Sequence, residues 1–576
     1  MYSTLIAAIA ALSVMTTSCQ NVPEHPIEAG RPTAVYFTEI SEAAGLNFTH
    51  NPGVDGSYFT PESMGSGVAV FDYDNDNDLD IYFINGAWHG ELSKNRQQLQ
   101  NQLFRQEPDG SFSTVTATSG LGDTGYGMGV ACGDIDNDGF VDVYVSNYGA
   151  DALYRNNGDG TFSNITDAAG VVNAAWGCSV LYFDFNLDGY LDIFVTNYID
   201  YDSTATCSDK AGRPDYCGPT NFPGASDVLF RNNGDLTFTN ISKEAGIADV
   251  KSVSLGVASG DFNNDGLPDV YVANDGQENQ LWLNKGDGTF DENAVIWGAA
   301  TNNVGRSEAG MGVAIGDYDS DQDQDLFLSH LRTESNTLYR NESHGRFSDV
   351  THLAKLGANS LSYTGFGTAF LDFDHDGDLD IAVVNGRVTR GPLLTSPRKE
   401  HSYWDDYAEP NLLYENMDRR LFRNISAEAP VFSSKYIENS RGLAIGDMDN
   451  DGDLDLLVTN EGGPARLYRN DIPEKGNWLS LRAYLPELKR DAIGAKITVY
   501  LNEKILSREV NATYSYLSSN DPRVHFGLGT AARTDSVIVV WPNGQRDHFG
   551  QLQANQFFTL SMGGSAVLAH KQTEAH

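Results

Sequence analysis

Basic residues, cysteines and long apolar runs are all scarce in this sequence. Its 576 residues include 38 Lys and Arg against 79 Asp and Glu, which gives a formal net charge of −41 at pH 7. Because phosphate binding depends on Lys and Arg, so acidic a chain excludes nucleic acid as a partner. The sequence also lacks the GxSxG, HExxH and phosphate-loop motifs, so no conventional hydrolase or nucleotide-binding pattern supports an enzyme.

The aspartates recur in seven related loops, of which residues 447–455 (DMDNDGDLD) are the clearest. Alternate Asp side chains point to one side of such a loop, the glycine permits the turn, and the last Asp completes an oxygen cage. Oxygen-only ligation is typical of calcium, whereas zinc and copper prefer His and Cys. We therefore predict about seven calcium ions. The predicted ligands are Asp72, Asp74, Asp76 and Asp80; Asp134, Asp136, Asp138 and Asp142; Asp184, Asn186, Asp188 and Asp192; Asp261, Asn263, Asp265 and Asp269; Asp317, Asp319, Asp321 and Asp325; Asp372, Asp374, Asp376 and Asp380; and Asp447, Asp449, Asp451 and Asp455.

The loops are flanked by short β-branched and aromatic runs, which indicate strands and argue against the helix-flanked EF-hand. They begin roughly 50 to 80 residues apart, which is room for four strands in each repeat. The pattern of the last strand does not follow the seventh repeat as it follows the others. It occurs instead near the N-terminus, at residues 37–41. This arrangement predicts an all-β fold, a seven-bladed β-propeller over residues 35–470 that the N-terminal strand closes.

Residues 1–18 are a short apolar stretch before Cys19, which resembles a bacterial lipoprotein signal peptide with Cys19 as the lipidated residue. Gln20 resembles the sorting signal of outer-membrane lipoproteins, and residues 19–34 predict a tether. We therefore expect an exported protein, periplasmic or on the cell surface, with Cys19 as its sole membrane attachment; secretion is the alternative. Cys207 and Cys217 share one insertion and are expected to form a disulfide in that compartment.

The repeats resemble FG-GAP/VCBS repeats, the calcium-loop blades also found in integrin α chains. Residues 477–562 resemble the ASPIC/UnbV domain through the segments 491–495 (DAIGA), 525–529 (HFGLG) and 540–544 (VWPNG), and their own pattern predicts a small β domain. The two together resemble the cartilage acidic protein family.

All seven loops join a first strand to a second strand, so they lie on one face of the predicted propeller. The opposite face, here called the insertion face, carries the long insertions 86–101, 199–227 and 387–411. Variable loops on a rigid scaffold commonly bind ligands, so this face is the predicted site. Its candidate acids are Glu62, Glu308, Asp275 and Glu461, and its candidate ligand-binding residues are Tyr126, Tyr148, Trp176, Tyr198, His330, Tyr363, Asn385 and Arg441.

Two classes of function remain open. The first is a monomeric, calcium-binding module of the cell envelope that recognises a glycan, a protein or a small molecule on its insertion face. The second is implied by the family resemblance, since UnbV-type proteins occur in enediyne biosynthesis and some relatives are associated with ring or C–C bond formation. It is an enzyme of secondary metabolism in which one of the candidate acids starts a cyclisation or C–C bond formation and aromatic side chains stabilise cations.

Overall fold

The computed structural model describes residues 36–90, 96–343, 346–394, 402–473, 475–502 and 504–569. The predicted signal peptide, the tether and Cys19 lie outside the described residues. The chain is all-β, as predicted, and its described helices are single turns at Thr116–Ser119, Thr166–Ala169, Ala294–Trp297 and Gly357–Ser360, with further short turns at Thr60–Ser63, Pro219–Asn221, Ile247–Asp249, Tyr403–Asp406 and Val431–Lys435. In the described ranges, no helix is long and apolar enough to cross a membrane.

Between residues 37 and 470 the described strands form seven four-stranded antiparallel sheets. We number them in chain order. Sheets 1 to 6 are Val68–Phe71, Asp80–Phe83, Gln102–Gln106 and Phe112–Thr114; Tyr126–Gly133, Asp142–Tyr148, Ala152–Asn156 and Phe162–Asn164; Gly177–Phe183, Asp192–Asn197, Val228–Asn232 and Phe238–Asn240; Ser254–Gly260, Asp269–Asn274, Gln280–Asn284 and Phe290–Glu292; Gly310–Gly316, Asp325–His330, Thr337–Asn341 and Phe347–Asp349; and Gly365–Leu371, Asp380–Asn385, Leu412–Met417 and Leu421–Asn424. Sheet 7 is Ser440–Gly446, Asp455–Asn460, Arg466–Asn470 and the N-terminal strand Phe37–Glu39.

The innermost strands of neighbouring sheets contact one another in a circle, which closes where sheet 1 meets sheet 7. The first and second strands are almost wholly buried because neighbouring sheets cover both of their faces, whereas outer strands alternate between buried and exposed side chains. The fourth strand of sheet 7 is supplied by the N-terminus, through pairing of Phe37 with Asn470. The predicted closure of the ring by the N-terminal strand is therefore confirmed.

A side-chain amide links each sheet to the sheet before it. In sheets 2 to 7, an Asn near the end of the sheet's third strand donates a hydrogen bond to a loop carbonyl of the preceding sheet. Asn284, for example, donates to Phe185 O at 2.7 Å. In sheet 1 a glutamine takes this position, and Gln106 donates to Met448 O of sheet 7 at 2.6 Å. The remaining donors are Asn156, Asn232, Asn341, Asn416 and Asn470.

The C-terminal domain consists of two sheets around a core that includes Trp541 and Phe526. One sheet comprises Asn477–Leu485, Arg490–Asp491, Val524–Gly529, Gln556–Ser561 and Ala566–Leu568, and the other comprises Lys496–Leu501, Lys504–Glu509, Ser536–Val540 and Arg546–Gly550. The small hairpin Cys207–Ser208 with Pro214–Asp215 stands apart from these sheets in the second insertion.

Residues 511–521 leave the C-terminal domain and fill the centre of the ring; we call them the axial segment. Residues 515–520 are at most 5% exposed. The segment bonds to the innermost strands at Val68, Val130, Ser179, Ser259, Val313, Thr368 and Ile445, which together represent all seven sheets. At its tip, the Tyr516 hydroxyl donates to Met64 O at 2.9 Å, near the insertion face.

Candidate functional site

The acidic loops have the geometry expected of oxygen-cage metal sites. In the loops that begin at Asp72, Asp134, Asp317 and Asp372, the first, third and ninth residues place carboxylate oxygens within 4.8 Å of one another. Hydrogen bonds from the loop backbone to its first Asp hold that carboxylate in place, as from Gly139 N to Asp134 Oδ2 at 2.9 Å.

The donor set of these loops fits a divalent cation. Buried oxygens of Asp74, Asp319 and Asp372 accept no hydrogen bond from the residues that the structure describes, although buried acceptors are normally satisfied. Burial and the neighbouring carboxylates raise the pKa of Asp72 to about 6 and that of Asp319 to about 6. An ion bound among these oxygens would satisfy them and remove the repulsion, and the all-oxygen set is the one that calcium prefers.

The loops are not identical. In the second loop the Arg155 guanidinium already bonds to Asp136 at 2.6 Å and to Asp138 at 2.7 Å. In the third loop the Asn186 amide donates to Asp188 at 2.8 Å, and Asn263 makes the same bond to Asp265 in the fourth. Because Asn186 and Asn263 stand in place of Asp, the third and fourth loops each have one carboxylate fewer, which predicts that they are the weakest sites.

The C-terminal domain covers the face that carries the acidic loops with cationic side chains. Arg523 donates to Asp447 O at 3.1 Å, Arg490 donates to Gly189 O at 3.0 Å, and Lys504 donates to Asp376 O at 3.1 Å. Between this domain and the first two loops lies a cavity of about 590 Å³, lined by Asp72, Asp134, Arg490, Arg523 and Phe557 among others. This cavity could not be predicted from sequence, because its walls come from residues far apart in the chain.

On the insertion face, four chain segments interlock over the end of the ring: the segment that contains Tyr58 and Glu62, and the three insertions. The fully buried carboxylate of Glu62 accepts hydrogen bonds from Tyr216 at 2.9 Å and from His89 at 3.0 Å. The Tyr403 hydroxyl donates to Tyr216 Oη at 3.1 Å. Arg390 bonds to the Tyr58 hydroxyl, which ties the third insertion to the segment that contains Glu62. Cys207 and Cys217 form a disulfide in the second insertion.

Four of the predicted aromatic residues, Tyr126, Tyr148, Trp176 and Tyr198, form one cluster. The Trp176 ring lies 5.4 Å from that of Tyr148 and 5.1 Å from that of Tyr198, both in edge-on contact. Tyr126 donates a hydrogen bond to Pro52 O, and Phe59 lies 5.5 Å from its ring. These rings bury one another, and Tyr148 is the predicted member that stays partly exposed.

The other candidate acids lie around the same axis. The Asp275 carboxylate accepts a 2.6 Å hydrogen bond from Tyr198, and burial raises its pKa to about 6. Glu461 is fully buried beside His50, with 3.3 Å between Oε1 and Nδ1, and neither carboxylate oxygen has a hydrogen-bond partner. Burial is the main cause that raises the pKa of Tyr126, and the nearby charges of Glu62 and Glu461 raise it further. Both acids therefore lie near that ring.

The remaining predicted residues have structural partners. Arg441 is fully buried and donates to Ser63 O, Asn439 Oδ1, Ser440 O and Arg387 O.

Glu308 accepts bonds from Asn302 and Thr337, and His330, whose pKa is lowered by burial, lies 3.9 Å away. Asn385 donates to Pro410 O at 2.7 Å, and Tyr363 packs against the hydrophobic core between sheets 5 and 6.

Family models match both the repeats and the C-terminal domain. A family model described as ASPIC and UnbV matches residues 486–567. A model described as FG-GAP-like repeat matches residues 92–145, 134–195, 209–272, 261–328 and 317–383. Among solved structures, the BP39L lectin from Burkholderia pseudomallei is similar with a TM-score of 0.41 and 10% identity, covering 71% of this chain and 96% of its own.

Two curated relatives carry the same name. Cartilage acidic protein 1 of Mus musculus is 27% identical over 511 residues, which are 84% of this chain and 71% of that protein. Its Xenopus tropicalis counterpart is 27% identical over 326 residues, so the match covers 54% of this chain and 45% of the relative, or about half of its length. The chain therefore belongs to the family of FG-GAP-repeat proteins with an ASPIC and UnbV domain that includes cartilage acidic protein 1.

Proposed function

We propose that this protein is an exported, calcium-loaded propeller that recognises a glycan, protein or small-molecule ligand on its insertion face. The observation that carries the proposal is the interlocked cap of four segments, which holds partly exposed aromatic rings beside buried carboxylates. Tyr148, Tyr201 and Phe222 are partly buried and lie in ring contact with one another or with Trp176. Apolar walls with a few fixed polar groups are typical of ligand sites.

Calcium would have a structural part in this function. Held by the aspartates of the loops, it would neutralise the acidic face against which the C-terminal domain lies, and so fix the axial segment that supports the insertion face from below. A disulfide in the second insertion fits an oxidising compartment and supports export.

A second function is favoured by Asp275 and Glu461. The Asp275 carboxyl group, whose pKa burial raises to about 6, is suited to giving up a proton near neutral pH, and aromatic rings close to it could stabilise a cationic intermediate. In this alternative the protein is an enzyme that starts a cyclisation or C–C bond formation by protonating a small substrate.

One experiment separates the two functions. A cell extract of the source organism is incubated with calcium-loaded protein and with chelated protein, and both the solution and the retained molecules are analysed by mass spectrometry. A component that is retained unchanged by wild type and lost with Tyr201→Ala supports recognition. A new product that forms with wild type and is lost with Asp275→Asn supports the enzyme.

The matched control is Tyr500→Ala in the C-terminal domain, which should behave as wild type in both measurements. The proposed recognition fails if nothing is retained, or if Tyr201→Ala retains the same component as wild type.

The proposed anchor at Cys19 is tested separately. Mass spectrometry of the mature N-terminus should show a diacylated or triacylated cysteine, and Cys19→Ala should move the protein from the membrane fraction to the soluble fraction. An unmodified N-terminus elsewhere in residues 1–34 would instead support secretion.

A further inference from the structure

Two carboxylates and an imidazole, which are side chains of the kinds that bind metal ions, converge on the insertion face. Asp55 and Glu62 come from the segment before sheet 1, and His89 comes from the first insertion. His89 Nε2 lies 3.0 Å from Glu62 Oε1 and 3.6 Å from Asp55 Oδ1. One ligand atom from each of the three residues lies within 4.8 Å of the others.

These separations match ligands that share one ion. Nitrogen and oxygen atoms bound about 2.1 Å from a metal are separated by roughly 3.0 Å in an octahedral arrangement and roughly 3.4 Å in a tetrahedral one. The two distances from His89 Nε2 bracket that interval. An imidazole with two carboxylates suits zinc, manganese, iron or cobalt, whereas the aspartate loops offer the oxygen-only set of calcium.

The surroundings hold the three groups in place. The Glu62 carboxylate is fully buried, and its second oxygen accepts the Tyr216 hydroxyl at 2.9 Å. The His89 ring lies 4.3 Å from the Phe59 ring, and Ser57 N donates to Asp55 Oδ1 at 2.8 Å. Such supporting contacts are typical of metal sites, because they fix the orientation of the side chains that bind the metal directly.

The site is also accessible. The side chains of His89 and Asp55 are 20% and 22% exposed, so an ion can reach them from solvent. Three protein ligands leave at least one coordination position open, as in metal sites that also bind water or a substrate oxygen.

We propose that Asp55, Glu62 and His89 bind one divalent transition-metal ion on the insertion face, with its open position directed to solvent. This site is separate from the calcium loops and does not depend on the proposed ligand recognition or on the proposed enzyme. The competing occupant is a hydrogen atom on His89 Nε2, which would be shared with the carboxylates as a hydrogen bond in place of the ion.

Cobalt(II) is the probe that separates these occupants. The full-length protein is saturated with calcium, so that the loops are filled, and is then titrated with Co²⁺ while the visible absorption spectrum and the binding heat are recorded. We expect one Co²⁺ ion with visible bands of a four- or five-coordinate site. His89→Ala should weaken its binding about a hundredfold or more, and Tyr216→Phe about tenfold, since supporting residues contribute 10- to 100-fold to metal affinity.

Two variants serve as controls. His352→Ala removes an exposed histidine elsewhere and should leave Co²⁺ affinity unchanged. Asp55→Asn changes a partly exposed ligand without opening a buried cavity, so it tests the site even where His89→Ala disturbs the loop. The proposal is overturned if calcium-saturated protein binds no Co²⁺ at millimolar concentration, or if His89→Ala and Asp55→Asn both bind it as tightly as wild type.

Discussion

Removal of calcium should lower the thermal stability of the protein by a calculable amount. A loop saturated at about a hundred times its dissociation constant stabilises the folded state by about 2.7 kcal/mol. Unfolding entropy of about 2.1 cal/mol/K per residue gives about 1.1 kcal/mol/K for a folded body of this size, so each filled loop raises the midpoint by about 2 to 3 °C. The four loops whose carboxylate oxygens cluster at Asp72, Asp134, Asp317 and Asp372 together predict a fall of about 10 °C on chelation.

The assay is differential scanning calorimetry in excess calcium and in excess chelator. Asp319→Asn should lose one loop's share of the difference, about 2 to 3 °C, because Asp319 has a buried oxygen without another partner. Asp159→Asn, at an exposed hairpin outside the loops, should keep the whole difference. A midpoint that chelation moves by less than about 1 °C would refute the reasoning, since four filled sites cannot contribute so little.

Three further predictions concern the buried carboxylates of the acidic loops, the packing of one loop glycine, and the side-chain amides that link neighbouring sheets. In calcium-free protein, burial raises the pKa of Asp80 to about 9 and of Asp134 to about 7 from 3.8, so both stabilise the fold while protonated. The midpoint in chelator should therefore fall as the pH rises from about 5 to about 9, and a rise would contradict this. Gly452→Ala should destabilise the protein by about 3 kcal/mol or more in urea unfolding, because its Cβ would lie 1.9 Å from Trp478; Gly266→Ala, at the same loop position with open space around it, should cost only about 1 kcal/mol of backbone strain. Asn284→Ala should cost about 2 to 3 kcal/mol by leaving the carbonyls of its partners unsatisfied, and an equal loss in exposed Asn233→Ala would exclude that cause.

The fold could be predicted because its signals are local and repeated. Each loop carries its own turn residue, and even the non-glycine residues at that position adopt left-handed backbone, with φ of 71° at Asn77 and 77° at Gln322. The strand pattern at residues 37–41 showed where the ring closes, because it matched a pattern missing from the other end. Short-range patterns of this kind do not depend on which distant residues meet.

The site could be predicted only in part. The rim position of Tyr126, Trp176 and Tyr198 followed from strand ends, but their burial against one another depends on the packing of inserted loops. His89 and Tyr216 gave no signal, because they meet Glu62 across 27 and 154 residues of sequence. Insertions have no period, so nothing in the sequence aligns their side chains.

The axial segment was the least predictable feature, since residues 515–520 (SYLSSN) are mostly polar. They are buried because the centre of the ring presents unpaired backbone groups, which the segment's own backbone and side chains satisfy. Polar composition therefore does not indicate exposure where a second domain completes the hydrogen bonds.

The position of the axial segment determines when the ring can finish folding during biosynthesis. The centre of the ring is occupied by residues that leave the ribosome after every one of the seven sheets, while the strand that closes the ring, Phe37–Glu39, is among the first folded residues to emerge. The early sheets therefore remain incompletely paired at the axis until residues 511–521 have been synthesised. A chain cut short before the C-terminal domain would keep its repeats and its closing strand, yet it would expose the inner strands that the axial segment normally pairs. Only a chain that includes the axial segment can therefore bury the inner strands of its ring.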